Sequence, residues 1–207
     1  NALNYEPSAS IDDGSCVYSP NECLIPLALG DTTHVVYGSS IEPTVDDIIN
    51  DSGLTVSSQT EYQVWETSKE STAISVKFLD AYSSYGDVFG YYERGDLGTF
   101  VPLFKSGGGV NDVYPGVPSA TPGETYTVTL PGGDYGFALH SGTPNQFQAS
   151  ENSLNESGND HMASYEVIGA NSYVLAYENF DLSSSDKDYN DAVVQVTIVS
   201  CENLDPP

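Results

Sequence analysis

Positively charged side chains are scarce in this sequence of 207 residues. Five Lys and Arg stand against 30 Asp and Glu, which gives a formal net charge of −25 at pH 7. Five scattered cations cannot form the basic patch that binds a phosphate backbone or an anionic lipid surface. Apolar runs are also short, and none approaches the roughly 18 to 20 residues that span a bilayer. We therefore exclude nucleic acid as a partner and direct membrane insertion.

Residues typical of catalytic and zinc sites are few as well. The three histidines and three cysteines lack the clustered spacing of a zinc site. No G-x-S-x-G elbow and no H-E-x-x-H motif is present. Carboxylate pairs at the spacing of glycoside hydrolases are bound to occur among 30 acids, so a hydrolase is the weaker alternative. The sequence predicts that the protein is not an enzyme.

The cysteines divide the chain into two parts. Cys23 opens a strand-rich segment and Cys201 closes it, so we predict that a disulfide joins them and leaves Cys16 outside. Spacing alone does not fix the connectivity, and a bond between Cys16 and Cys23 is the alternative. A structural disulfide implies an oxidising, extracellular compartment. We predict an acidic repeat or linker over residues 1–22 and one folded domain over residues 23–207.

Short runs of alternating apolar and polar residues dominate the second part. They are separated by Gly, Pro, Asn and Asp, which is typical of antiparallel strands. The prediction is an all-β fold, an antiparallel two-sheet β-sandwich of about nine or ten strands, with a closed barrel as the alternative. The clearest strands are 34–37, 62–66, 73–80, 88–92, 125–130, 135–140, 162–168, 172–177 and 192–199. Residues 131–134 are predicted as the loop of a hairpin, and residues 43–50 as a short helix.

Aromatic residues are frequent in the turns and loops of this pattern. Those at Trp65, Tyr114 and Tyr135, and the Tyr-rich segment 82–92, could stack on sugars or peptides. Sandwich cores also use many aromatic residues, and we favour the core for most of them.

The densest group of oxygen-bearing side chains follows the predicted strand 172–177. Carboxylates at this density repel one another unless a cation is bound, and Ca²⁺ accepts six to eight oxygen ligands. The spacing D-x-D-x-N-D is not that of an EF-hand, because its glycine and its final glutamate are missing. A solvated acidic turn is the alternative. The predicted Ca²⁺ ligands are Glu178, Asp186, Asp188, Asn190 and Asp191.

Three segments around this loop share a resemblance. Residues 158–161 (G-N-D-H), 177–180 (Y-E-N-F) and 186–191 (D-K-D-Y-N-D) look like the closing signature of a calcium-associated β-sandwich domain of unknown function. That domain recurs in large bacterial surface and adhesin proteins. The resemblance implies that Asn159 and Asp160 reach the same cation, with His161 as a hydrogen-bonding partner. That domain more often has Asp at the position of Asn179, whose amide still offers a carbonyl oxygen.

The N-terminal segment carries a second resemblance. Residues 2–16 are similar to a short A-x-N-Y-x-P repeat that ends in D-D-G-S-C, found in large secreted and surface proteins of Bacteroidetes-type bacteria. A second cysteine precedes the corresponding part of those repeats, so we expect the chain to be a piece of a longer protein. A flexible acidic tail is the alternative.

Together these observations predict a non-catalytic, calcium-dependent module of a secreted or cell-surface bacterial protein. The resemblance implies adhesion, with a glycan or a peptide on a cell surface as the ligand. The alternative is a structural spacer or assembly subunit whose partners are neighbouring domains and in which calcium only rigidifies the fold.

Overall fold

The computed structural model describes residues 23–29, 36, 41–83, 85–106, 113–142, 145–179 and 186–202. Residues 1–22 and most of the strand predicted at 34–37 lie outside this part of the chain, so the predicted linker segment stays a prediction. The elements, in chain order, are β1 (Leu24–Ala28), α1 (Val45–Asp51), β2 (Val56–Thr60), β3 (Tyr62–Asp80), β4 (Asp87–Glu93), β5 (Asp96–Ser106), β6 (Thr125–Gly142), β7 (Asn145–Ala149), β8 (Met162–Val167), β9 (Ser172–Tyr177) and β10 (Ala192–Glu202). The predicted all-β class is confirmed.

The strands form one antiparallel sheet that curls into a half-barrel. Its order is β2-β8-β9-β10-β3-β6-β4-β5, with β1 also paired to β3 and β7 to β6. Strands β3 and β6 have 19 and 18 residues, and each changes partners along its length. The first part of β3 pairs with β1, and its second part pairs with β10. The two sheets of the predicted sandwich are therefore one continuous sheet, in which the long strands β3 and β6 join the two halves.

The predicted hairpin loop at residues 131–134 is wrong, because these residues continue strand β6. Opposite them, the register with β3 shifts between Thr67 and Ser71. The hydroxyl of Thr67 lies 3.1 Å from the carbonyl oxygen of Pro131 and 2.7 Å from that of Gly133, and it accepts the N–H of Gly133 at 2.7 Å. This side chain satisfies backbone groups that the ladder leaves unpaired, so the strand passes through a Pro-Gly-Gly sequence without turning back.

Aromatic side chains fill the space between the two halves of the curled sheet. Phe89 on β4 has its ring centroid 5.4 Å from that of Phe104 on β5 and 6.0 Å from that of Tyr177 on β9. Trp65 packs edge-on against Phe137 at 5.1 Å and is fully buried. Tyr135 is also buried. These rings belong to the core, which we favoured for most of the aromatic residues, and are not available for stacking on a ligand.

The helix α1 begins at Val45, close to its predicted start. Thr44 is the N-cap, and it forms a capping box with Asp47: the Asp47 N–H donates to Thr44 Oγ1 at 3.2 Å, and the Thr44 N–H donates to Asp47 Oδ2 at 3.0 Å. Val45 and Ile48 pack in a buried cluster with residues of β3, β8, β9 and β10. In the described part of the chain, no helix has the length and apolar character needed to cross a membrane.

Cys23 is 1% exposed and disulfide-bonded. Its carbonyl oxygen accepts the hydroxyl of Thr72 at 3.1 Å, and Thr72 pairs with the backbone of Cys201 across β3 and β10. The backbones of the two cysteines thus flank the same residue. The bond between Cys23 and Cys201 stays a prediction, because the side chains of Cys16 and Cys201 lie outside the described residues.

Peptide mapping under non-reducing conditions tests this pairing. We expect one crosslinked fragment that contains Cys23 and Cys201 and an alkylatable thiol at Cys16, since the shared neighbour Thr72 brings the first two together. A fragment that links Cys16 to Cys23 would contradict the prediction.

Candidate metal centre

The candidate centre lies where β9 ends and β10 begins. The two strands pair antiparallel with Tyr177 opposite Ala192, so the next residues outward, Glu178 and Asp191, are neighbours. Glu178 is 1% exposed, and its side chain is hydrogen-bonded to that of Asp191. The N–H of Asn179 donates to Asp191 Oδ2 at 2.9 Å. The strand register itself therefore places two carboxyl groups in contact.

The segment before β10 turns its polar side chains inward. Lys187 and Tyr189 have φ values of 60° and 56°, a left-handed conformation that side chains with a Cβ rarely adopt. Between and after them, Asp188 and Asn190 are 2% and 1% exposed. The Tyr189 hydroxyl donates to the carbonyl oxygen of Asp160 at 3.0 Å. Backbone strain of this kind persists only where the surrounding structure holds it in place.

An outer group of carboxylates joins this segment to the residue before Pro43. One oxygen each of Glu42, Asp186 and Asp188 lie within 4.8 Å of one another. Asn190 holds the two segments together, because its Nδ2 donates to Asp188 Oδ2 at 3.0 Å and to the carbonyl oxygen of Pro43 at 2.9 Å. Sequence reasoning missed Glu42, since no local spacing connects it to the loop.

A second set of missed residues comes from the segment that leads into β4. The Asn179 side chain is 1% exposed, and its Nδ2 donates to Ser83 Oγ at 2.6 Å and to Asp87 Oδ2 at 2.8 Å. Asp87 is fully buried and also accepts the hydroxyl of Ser141. One signal in the sequence could have indicated that Asp87 is buried, though not what it contacts: strand alternation places it on the same face as Phe89, which is a core position.

Burial and mutual repulsion make these carboxyl groups hard to ionise. Burial, then the hydrogen bond with Asp191 and the negative charges around it, raise the pKa of Glu178 to about 10. Burial and the charge of Asp186 raise the pKa of Asp188 to about 6. Burial also raises the pKa of Asp191 and of Asp87. A bound cation would offset this repulsion.

The residues present fit a calcium ion. The side chains offer only oxygen atoms, which are the ligands of Ca²⁺. Within the described part of the chain, Glu178 Oε2 and Asn179 Oδ1 are buried and have no hydrogen-bond partner. Leaving a buried polar atom unsatisfied costs about 1 to 3 kcal/mol, so a ligand at these two atoms would remove a real penalty.

The predicted ligands differ in how closely they meet. The structure brings Glu178 to Asp191 and Asp186 to Asp188. Asn190 orients Asp188 through its amide nitrogen.

The G-N-D-H segment lies against the same loop. Asp160 Oδ1 accepts the N–H of Met162 at 3.1 Å, and the Asn159 carbonyl oxygen accepts the amide of Asn155 at 2.9 Å. Nδ1 of His161 lies 3.2 Å from the carbonyl oxygen of Glu178. Ligation by Asn159 and Asp160 stays a prediction.

Comparisons of the chain with protein-family models, with curated proteins and with solved structures found no match. The resemblance to the calcium-associated domain therefore remains an expectation that rests on the motif residues.

Removal of calcium is expected to lower the melting temperature markedly, because the carboxylates then repel one another. The variant Asp188→Asn should reduce the difference between the melting temperatures in calcium and in EDTA, for two reasons. It removes one repelling charge from the metal-free protein and one ligand from the calcium-loaded protein. Differential scanning calorimetry of the wild type and the variant, in calcium and in EDTA, measures these melting temperatures.

The matched control is Asp51→Asn, an exposed residue at the end of α1, which should leave the difference unchanged. Equal melting temperatures of the wild type in calcium and in EDTA would argue against the site.

The pH dependence of the metal-free protein gives an independent test. A carboxyl group whose pKa is raised in the folded state binds its proton more tightly when folded, so stability falls as pH rises through that interval. For Glu178 the interval runs from its ordinary value of 4.5 to about 10. The melting temperature in EDTA should therefore fall between pH 5 and pH 8, and Glu178→Gln should weaken the fall. Excess Ca²⁺ should abolish it; an unchanged slope in calcium would contradict the assignment.

Proposed function

We propose that the protein is a non-catalytic, calcium-dependent module of a secreted or cell-surface bacterial protein, with a role in adhesion. One observation carries the calcium part. The carboxyl groups of Glu178 and Asp191 are held in contact at the buried end of a strand pair, where Glu178 Oε2 and Asn179 Oδ1 are buried without a hydrogen-bond partner among the described residues. Such a group is stable with a cation and costly without one.

A cation here would fasten several distant segments of the fold. The loop before β10 contacts the segment before α1, where Asn190 Nδ2 donates to the Pro43 carbonyl oxygen. It also contacts the turn after β3, where the Tyr82 N–H donates to the Asn190 carbonyl oxygen at 3.0 Å. The loop also rests on Asp160 through the Tyr189 hydroxyl. Calcium would therefore set the rigidity of one end of the curled sheet.

Burial of the ligands supports a non-catalytic role. Glu178, Asp188 and Asn190 are 1 to 2% exposed, so a substrate has little access to them. A group must reach the reacting atoms within hydrogen-bond distance to act as a general acid or base. In this proposal the calcium ion stabilises the fold and takes no part in a reaction.

A groove next to the centre supports ligand recognition. It has a volume of about 330 Å³ and lies between α1 and β3, with Pro43, Asp51, Asp80, Tyr82 and Pro122 among its lining residues. Pro43 and Tyr82 are the residues that the calcium loop contacts, so occupancy of the site would shape the groove. An aromatic ring with two carboxylates is suited to the hydroxyl groups of a glycan or to the polar groups of a peptide. Adhesion itself is supported only by the resemblance.

A structural spacer or assembly subunit is the second candidate. The same contacts favour it, because the hydrogen bonds of Asn190, Tyr189 and Asn179 each join separate segments of this chain. In that case calcium stiffens the domain, and its surface contacts only neighbouring domains of a longer surface protein.

A glycan and peptide array, probed with the protein in calcium and again in EDTA, distinguishes ligand recognition from the spacer. We expect hits that need calcium, that disappear with Asp188→Asn, and that disappear with Tyr82→Ala although this variant still binds calcium. The Asp51→Asn variant shows whether this carboxylate of the groove contributes to ligand binding.

Blank arrays at high protein concentration would favour the spacer. Conversion of any hit to a product would contradict the non-catalytic assignment.

A further inference from the structure

The carboxamide of Asn179 is held by one residue of the turn after β3, Ser83, and by the first residue of β4, Asp87. Its Nδ2 donates to Asp87 Oδ2 at 2.8 Å and to Ser83 Oγ at 2.6 Å. All three side chains are buried, with exposed fractions of 1% for Asn179, 0% for Asp87 and 8% for Ser83. Both hydrogens of the amide nitrogen are therefore used.

These two contacts determine which way the amide oxygen faces. Both oxygens of Asp87 accept a hydrogen bond, Oδ1 from the hydroxyl of Ser141 and Oδ2 from Asn179, so Asp87 selects the amide nitrogen of Asn179 and repels its oxygen. Asn179 Oδ1 is thereby turned away from Asp87, and it is buried with no hydrogen-bond partner in the described part of the chain. The backbone N–H of the same residue donates to Asp191 Oδ2. The preceding residue, Glu178, carries another buried oxygen atom without a hydrogen-bond partner, Oε2.

We propose that Asp87, assisted by Ser83, is a positioning residue that presents Asn179 Oδ1 to a calcium ion shared with Glu178 and Asp191. This inference rests on the proposed calcium function and adds to it a residue that does not touch the ion. Outer residues of this kind typically change metal affinity by roughly 10- to 100-fold when they are replaced.

The arrangement also connects the two halves of the sheet. Asp87 opens β4 and pairs with Ser141 of β6 and with Ser106 of β5. Glu178, Asn179 and Asp191 belong to the turn between β9 and β10. An ion held in this way would link the layer of β4, β5 and β6 to the layer of β9 and β10 through one buried amide.

The variant Asp87→Asn tests the orientation directly. The asparagine side chain can donate as well as accept, so the Asn179 amide is no longer forced to present its oxygen. We expect calcium affinity, measured by isothermal titration calorimetry, to fall by about 10-fold or more. Adding Asn179→Asp should restore it, because a carboxylate has an oxygen on both arms and needs no orientation.

Terbium bound in place of calcium, excited through tyrosine, supplies a readout that a general loss of stability would not change. The difference between its luminescence decay in H₂O and D₂O counts the coordinated water molecules. Asp87→Asn should add about one water, and the double variant should lose it again. Ser83→Ala should weaken binding in the same direction and serves if Asp87→Asn fails to fold.

The matched control is Ser106→Ala, a fully buried neighbour of Asp87 in β5, which should leave affinity and water count unchanged. Unchanged affinity in Asp87→Asn and Ser83→Ala, or a loss that Asn179→Asp does not restore, would overturn the positioning role and leave the calcium function intact. A wild-type protein that binds neither calcium nor terbium would overturn both.

Discussion

The contact between Glu178 and Asp191 is the constraint on which the rest of the candidate centre depends. It follows from the antiparallel register of β9 and β10, which puts these residues opposite each other just beyond the last ladder pair. Two buried carboxyl groups in contact do not both ionise unless a cation is bound; without one they share a proton. Burial raises the pKa of both groups, and the contact with Asp191 raises that of Glu178 further. The charges of Asp186 and Asp188 add to the conflict, and the hydrogen bond from the Asn179 N–H to Asp191 fixes one of the groups that would hold an ion.

The surroundings of this pair are organised in layers. Glu178 and Asp191 form the inner part, and Asn179 connects them to the buried Asp87. Toward the surface, the amide of Asn190 donates hydrogen bonds to Asp188 and to the backbone carbonyl of Pro43, before α1. Unpartnered oxygen atoms occur in the inner part, while the outer part gathers exposed and buried carboxylates. The inner part is therefore where a bound ion would relieve the largest desolvation cost.

This polar region is set into a core that is otherwise aromatic and aliphatic. Phe89, two residues after Asp87 on the same face of β4, stacks with Phe104 and contacts Tyr177. Tyr177 directly precedes Glu178. The aromatic contacts thus fix the distance between β4 and β9, and the polar residues at the ends of these strands meet as a consequence. Close packing of the rings leaves the buried amide and carboxylates little freedom to adjust.

Local spacing in the sequence was sufficient for the all-β class, for most of the strands, for the short helix and for the acidic loop from Asp186 to Asp191. These features depend on residues that are close along the chain, where periodicity and capping chemistry act. Tertiary structure alone decided three others. Strand β6 passes through Pro131 and Gly133 because Thr67 satisfies their backbone groups from a distant strand. Glu42 and Asp87 join the centre because the curled sheet and α1 bring together segments that no sequence spacing relates.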